Sequence, residues 1–176
     1  MTILIPTYIE AISELHPTVF VQSMGVENDY ESLEYVSGDP IPSKTQLDAD
    51  ILTLSKLRVW RAIQAARDAR KNGGVKVGAD WFHSDDTSRI QQLALVMFGV
   101  NMPPGIMWKT MQGTFVPMTP TLASQIFQSI AAQDQAIFGK AEQHRAASAA
   151  APSPVDYDFS EGWPQTFEEW VALQSI

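Results

Sequence analysis

From Leu47 to Ala66, apolar residues recur at three- and four-residue spacing: Leu47, Ile51, Leu54, Leu57, Trp60, Ile63 and Ala66. This pattern predicts one long amphipathic helix, capped by Ser43 or Thr45 and ended by Asn72-Gly73-Gly74. The period then shortens to two. Val75 and Val77 alternate with Lys76, Gly78-Ala79-Asp80 supplies a turn, and Trp81-Phe82-His83 returns as a second strand, which predicts a hairpin. Helical spacing resumes at Ile90, Leu93, Val96 and Met97, which should share one face, behind caps offered by Ser84 and Asp85 or Asp86. Gly99 and Met102-Pro103-Pro104-Gly105 stop that helix. The same grammar is then written again. Ile106 to Lys109, the turn Met111-Gln112-Gly113 and Thr114 to Met118 form a second hairpin. Thr119 or Thr121 opens a last helix with Pro120 near its first turn. Leu122, Ile126, Ile130, Ile137 and Phe138 carry it to about Arg145.

Helix, hairpin, helix, hairpin, helix over residues 44–145 predicts an α+β core, with the two hairpins pairing or stacking and the helices covering one face. Residues 1–43 hold short β-type runs, ILIPTYI, TVFVQSM and YESLEYV, between the turn signals HP, GVEND and SGDPIP. They predict an N-terminal arm of short strands and extended segments. Residues 146–155 lack a period and contain two prolines, as a linker or crossing arm does. Residues 156–176 form an acidic-aromatic C-terminal tail containing Tyr157, Phe159, Trp163, Phe167 and Trp170. The tail is either a disordered docking motif or a segment that closes back on its own domain, since five rings are costly to leave exposed.

Charge sharpens this division. The formal net charge is -8, yet residues 1–43 and 146–176 contain no Lys or Arg. All twelve basic residues lie between Lys44 and Arg145, against eight acids. Acidic flanks around a mildly basic centre either fold against that centre or serve as arms for a basic partner. No dense Lys/Arg stripe exists for a nucleic acid to grip, so none is expected as a partner. The start MTILIPTYIEAI has neither the basic opening nor the apolar length of a signal peptide, and no run approaches a spanning helix. A protein made in a cytoplasm, with no membrane partner, is expected. At 176 residues with 45% apolar composition, the chain can bury a core without metals or disulfides.

Candidate chemistry is sparse. There is no cysteine, which excludes disulfides, thiolate nucleophiles and cysteine-ligated metals. The three histidines, His16, His83 and His144, are too far apart in sequence for a zinc helix motif. No glycine pattern matches a phosphate loop, so no cofactor is expected. His83-Ser84-Asp85-Asp86 alone combines residue types suited to acid–base or nucleophilic work. It also sits where a strand meets a helix, where Ser and Asp serve as caps and the dipole favours carboxylates. No catalytic residue is assigned; an enzyme centred on His83, Asp85 and Asp86 is the remote alternative. Met97, Met102, Met107, Met111 and Met118 cluster around the second hairpin, as core filler or as lining of a partner groove. Contact residues for a protein partner are expected among Trp81 and Trp108 in the hairpins and Trp163, Phe167 and Trp170 in the tail.

Several strings resemble a small domain of unknown function found in tail-gene clusters of tailed bacteriophages and prophages. An Arg-containing helix precedes a Gly turn; a strand with Phe82 leads into Ser84-Asp85 and Ser88-Arg89. Trp108-Lys109-Thr110, the Gly113 turn with Phe115-Val116, and Met118-Thr119 open the long helix that ends near Phe138. The resemblance covers about residues 58–145. Tyr30 to Tyr35, then Pro40-Ile41-Pro42-Ser43-Lys44 and Leu47-Asp48, are similar to the extended segment and helix start of small phage tail proteins. The resemblance implies a non-enzymatic tail protein that binds tail-fibre or other tail proteins and assists fibre assembly in the host cytoplasm. The alternative is a structural part of the virion tail or baseplate, and a homo-oligomer is compatible with either. The family brings no catalytic residues with it.

Overall fold

A computed structural model of the chain describes residues 3–25 and 29–175. The fold is α+β, with five α-helices and three separate two-stranded antiparallel sheets among the described residues. By compactness it divides into two units, Met1–Ile63 with His144–Phe159 and Gln64–Gln143 with Ser160–Ile176.

In the first unit, Thr7 and Glu10 form a reciprocal capping box that starts α1 (Tyr8–Leu15). Of the three β-type runs expected here, TVFVQSM and YESLEYV contribute strands and ILIPTYI does not. ILIPTYI ends in a helix, because the box satisfies two otherwise orphaned amide donors. β1 (Val19–Ser23) and β2 (Leu33–Gly38) then form a hairpin with a register shift between Phe20 and Val21. GVEND falls largely on residues 26–28, outside the described residues. The long helix α2 (Lys44–Lys71) contributes its first part to this unit. Tyr8, Ile12, Val19 and Leu47 form its apolar cluster, so α1 and β1 contribute buried residues to a core with α2. Tyr8 Oη donates to Asp48 at 2.6 Å, and Arg58 pairs with Glu10 at 2.9 Å. His16 Nε2 lies 2.7 Å from Asp50 Oδ2.

The second unit begins with the end of α2. β3 (Val75–Val77) and β4 (Asp80–Phe82) pair in the expected register, Val75 opposite Phe82. α3 (Asp86–Phe98) follows, then β5 (Met107–Lys109) and β6 (Phe115–Pro117), again antiparallel. α4 (Pro120–Ala150), whose residues from His144 onward belong to the first unit, runs five residues beyond the expected stop near Arg145, and α5 (Phe167–Gln174) is the last helix among the described residues. The core joins Val75, Phe82, Leu95, Met118, Ala123, Ile126 and Ile130, with Trp108 and Val116 packed against them. Full burial of each large side chain contributes about 1.5–3 kcal/mol.

The two hairpins of this unit do not merge into one sheet. They meet edge to turn: Met111 N–H donates to Trp81 O at 2.8 Å, and Gln112 Oε1 accepts from Trp81 N–H at 3.0 Å. Gln112 Nε2 also donates to Ala79 O at 3.2 Å. A turn side chain thus occupies the place a neighbouring strand would take, closing a short strand edge.

The four apolar positions expected to share one face of α3 divide: Ile90, Leu93 and Met97 face solvent, while Val96 packs on the core beside the buried Gln92 and Leu95. The cause is polar anchoring. Arg89 forms two hydrogen bonds with the Asp134 carboxylate, donates to Lys71 O at 3.0 Å and also donates to Ser84 O. Gln92 Nε2 donates to His83 O at 2.8 Å. These bonds turn the Arg89–Gln92 face inward, and the helical period then carries the isoleucine, leucine and methionine outward.

Candidate interaction site

Trp163, Phe167 and Trp170 of the tail converge within the second unit on the first hairpin and the end of α2. Thr166 caps α5: its Oγ1 accepts from Glu169 N–H at 3.3 Å, while the Glu169 carboxylate accepts from Thr166 N–H at 3.0 Å. That box presents Phe167 N–H to Gly73 O at 2.8 Å. Gly73 is required here by space, since a Cβ would stand 2.6 Å from Thr166 Cγ2 and 2.9 Å from Thr166 Cβ. Gly74 has φ of 86°, in the left-handed region glycine tolerates.

Aromatic rings fill the junction. Trp81 meets Phe167 edge-on at 5.9 Å and lies tilted 6.2 Å from Trp170, while Phe167 and Trp170 stack at 5.8 Å. Lys76 Nζ stands 5.6 Å over the Trp170 ring, and the Arg70 guanidinium 5.5 Å over Trp163. Arg70 also grips Glu169 with two bonds, 2.7 and 3.2 Å, and donates to Pro164 O at 3.2 Å. The Arg70 hydrogen bond, joined by that from Thr166 N–H, holds the Glu169 carboxyl below its ordinary pKa. The result is a clasp of stacked rings, a forked ion pair and one main-chain bond. Beside it lies a cleft of about 530 Å³ lined by Ala66, Arg70, Gly73, Met111, Thr166 and Glu169, among others.

Three of the five aromatic residues expected to contact a partner, Trp81, Phe167 and Trp170, therefore meet one another. Trp81 is only 2% exposed, so its ring lies inside the clasp and not on an open surface. Phe167 and Trp170 are half-buried against it, and Trp163 is half-buried under Arg70. Trp108 is separate, packed on the core from β5. Of the two readings of the tail, closure onto its own unit is the one observed. Pattern reading missed Arg70, Gly73, Lys76 and Glu169. Thr166-x-x-Glu169 was the available signal, a capping signature placed directly before an apolar run.

His83 is exposed, and Asp85 caps α3: its Oδ1 accepts from Ser88 N–H at 3.1 Å and its Oδ2 from Ser88 Oγ at 2.6 Å. The Ser88 hydroxyl and then its amide hold the Asp85 carboxyl below its ordinary pKa. Asp86 is exposed in the first turn. Ser84, buried, accepts from Gly74 N–H at 3.0 Å and donates to Lys71 O at 2.7 Å. It ties the α2 terminus to the hairpin. Among the described residues no group of three or more His, Asp or Glu is placed to hold a metal ion. No helix among them is long and apolar enough to cross a membrane.

The second unit is thus an α+β domain whose own acidic-aromatic segment is bound as a peptide would be. Residues 55–161 match the model of the family described as Domain of unknown function (DUF4376). That span exceeds half of the chain, and the chain belongs to this family. No curated protein and no solved structure matches it.

Proposed function

We propose that this chain is a non-enzymatic tail protein of a tailed bacteriophage or prophage, binding tail-fibre or other tail proteins while they assemble in the host cytoplasm. The clasp carries the protein-binding part of this reading. Trp81, Arg70, Lys76 and the Gly73 carbonyl together accept a short capped helix bearing two rings and a carboxylate, which is helix-in-groove recognition within one chain. The phage assignment rests on the resemblance around Trp108-Lys109-Thr110, Gly113 and Phe115-Val116, residues that lie within the family span. The absence of an enzymatic step is supported by Ser84 and Asp85, whose polar atoms already serve the strand-to-helix junction.

Quantitative mass spectrometry of purified particles and of the lysate that yields them tests the proposal. Presence in the lysate alone makes the chain an assembly factor. A fixed copy number in particles makes it a structural tail component. Normal, infectious tails after deletion of its gene would overturn both. His83→Ala should leave tail assembly intact; loss of assembly with the fold unchanged would favour the enzymatic alternative.

A further inference from the structure

The solvent face of α3 is apolar. Ile90 is 69% exposed, Met97 79% and Val100, just beyond the helix, 94%; Leu93 and Phe98 are also in the open. Meanwhile Gln92 on the opposite face is fully buried. The helix therefore carries two apolar sides: Leu95 and Val96 pack on the core, and a second stripe stands in solvent, where the usual soluble helix is polar. The inward anchors Arg89 and Gln92 fix this orientation, so the helix cannot roll its apolar stripe under cover without losing them.

We propose that this face seats a second copy of the chain, with two α3 helices crossing antiparallel about a two-fold axis near Ala94. Three observations choose that occupant. First, between Thr87 and Asn101 the only charged residue is Arg89, and it is turned inward to Asp134. A basic protein would find no carboxylate there beyond the helix start, and a nucleic acid would find no cation. A self-complementary pairing needs neither, and antiparallel crossing keeps the two Asp86 residues at opposite ends of the seam. Second, Ile90, Leu93 and Met97 repeat at three and four residues around the small, exposed Ala94, the spacing by which helices interdigitate along a seam. Third, the exposed parts of Ile90, Leu93, Met97, Phe98 and Val100 amount to roughly 600–700 Å² per copy, approaching the ~800 Å² per partner of a standard stable interface. The pairing stands independently of any role in phage assembly.

Sedimentation equilibrium of the full chain over about 1–200 µM should show a mass approaching twice the 19.5 kDa of the chain. Met97→Glu should raise the dissociation constant about tenfold or more while leaving the circular dichroism unchanged, because a charge would have to enter the seam. A second variant needs no loss of fold to be informative. The chain has no cysteine, so Ala94→Cys gives one thiol, which mild oxidation should link to its counterpart; Thr53→Cys, exposed on α2, should remain unlinked. A monomer at every concentration would overturn the pairing and leave the face to a partner of another sequence. A dimer that survives Met97→Glu with Ala94→Cys unlinked would overturn it too, by placing the contact elsewhere.

Discussion

Arg89 does the work of several residues. It caps the carbonyl end of α2 at Lys71, accompanies Ser84 at the strand-to-helix junction and forks onto Asp134 of α4. Removing it leaves a largely buried carboxylate and an uncapped helix end together. Arg89→Ala should therefore destabilise the chain by about 2–4 kcal/mol, read as a lower urea midpoint, and Arg89→Lys should recover only part, since an ammonium cannot fork. A loss under 1 kcal/mol for Arg89→Ala would show that the anchor is not what orients α3. Gly73 makes the opposite case, where the constraint is empty space. Gly73→Ala places a methyl group against Thr166, so α5 should be displaced while the rest of the unit stays folded. The readout is a red shift in tryptophan emission as Trp81 gains water, and unchanged emission would mean that the contact is slack.

At the scale of elements, the clasp should behave as a separable piece. Phe167→Ala with Trp170→Ala removes every ring that packs on Trp81 from α5 and should cost about 2–4 kcal/mol, less than two core truncations because both rings are half-buried. Hydrogen exchange should then rise at Phe167 to Gln174 and at Trp81, with the amides of α4 still protected; uniform loss of protection would make α5 an integral part of the core. Elements were legible in the sequence wherever period and punctuation agreed. α2, the hairpins around Gly78-Ala79 and Gln112-Gly113, and the start of α4 were readable for that reason. The two short helices α1 and α5 were not, although each opens with the same written signal, Thr7-x-x-Glu10 and Thr166-x-x-Glu169. Eight residues give too few turns for a hydrophobic period to show, so only the cap marks them. The orientation of α3 was illegible for another reason. Periodicity identifies an apolar stripe but not what it faces, and here Arg89 and Gln92 decide which side the domain holds. The clasp was half legible: its rings stood out by type, but Arg70 and Gly73 lie more than ninety residues from Phe167 along the chain.

At the scale of the whole chain, acid lability follows from the way the acidic flanks are used. Glu10 pairs with Arg58, Glu14 approaches the same guanidinium, and Glu169 pairs with Arg70, so flank carboxylates neutralise bases of the central segment. Glu10 is held below its ordinary pKa first by Thr7 N–H and then by Arg58, Asp48 by Lys44, and Asp68 by Arg67. Asp85 and Glu169 are lowered as well. Each lowered carboxyl binds fewer protons folded than unfolded in the range just below its ordinary value, 3.8 for Asp and 4.5 for Glu. Folding stability must then be fully present above about pH 5 and be lost as pH falls through the depressed folded values. Thermal unfolding should give a level midpoint between pH 6 and 8 and a falling one from about pH 4.5 downward. Because Glu169 is one of these groups, the red shift that reports release of α5 should precede loss of helical ellipticity during the acid titration. Simultaneous loss of both signals would tie the clasp to global unfolding, and a midpoint independent of pH down to 3 would mean that these ion pairs contribute nothing net to the fold.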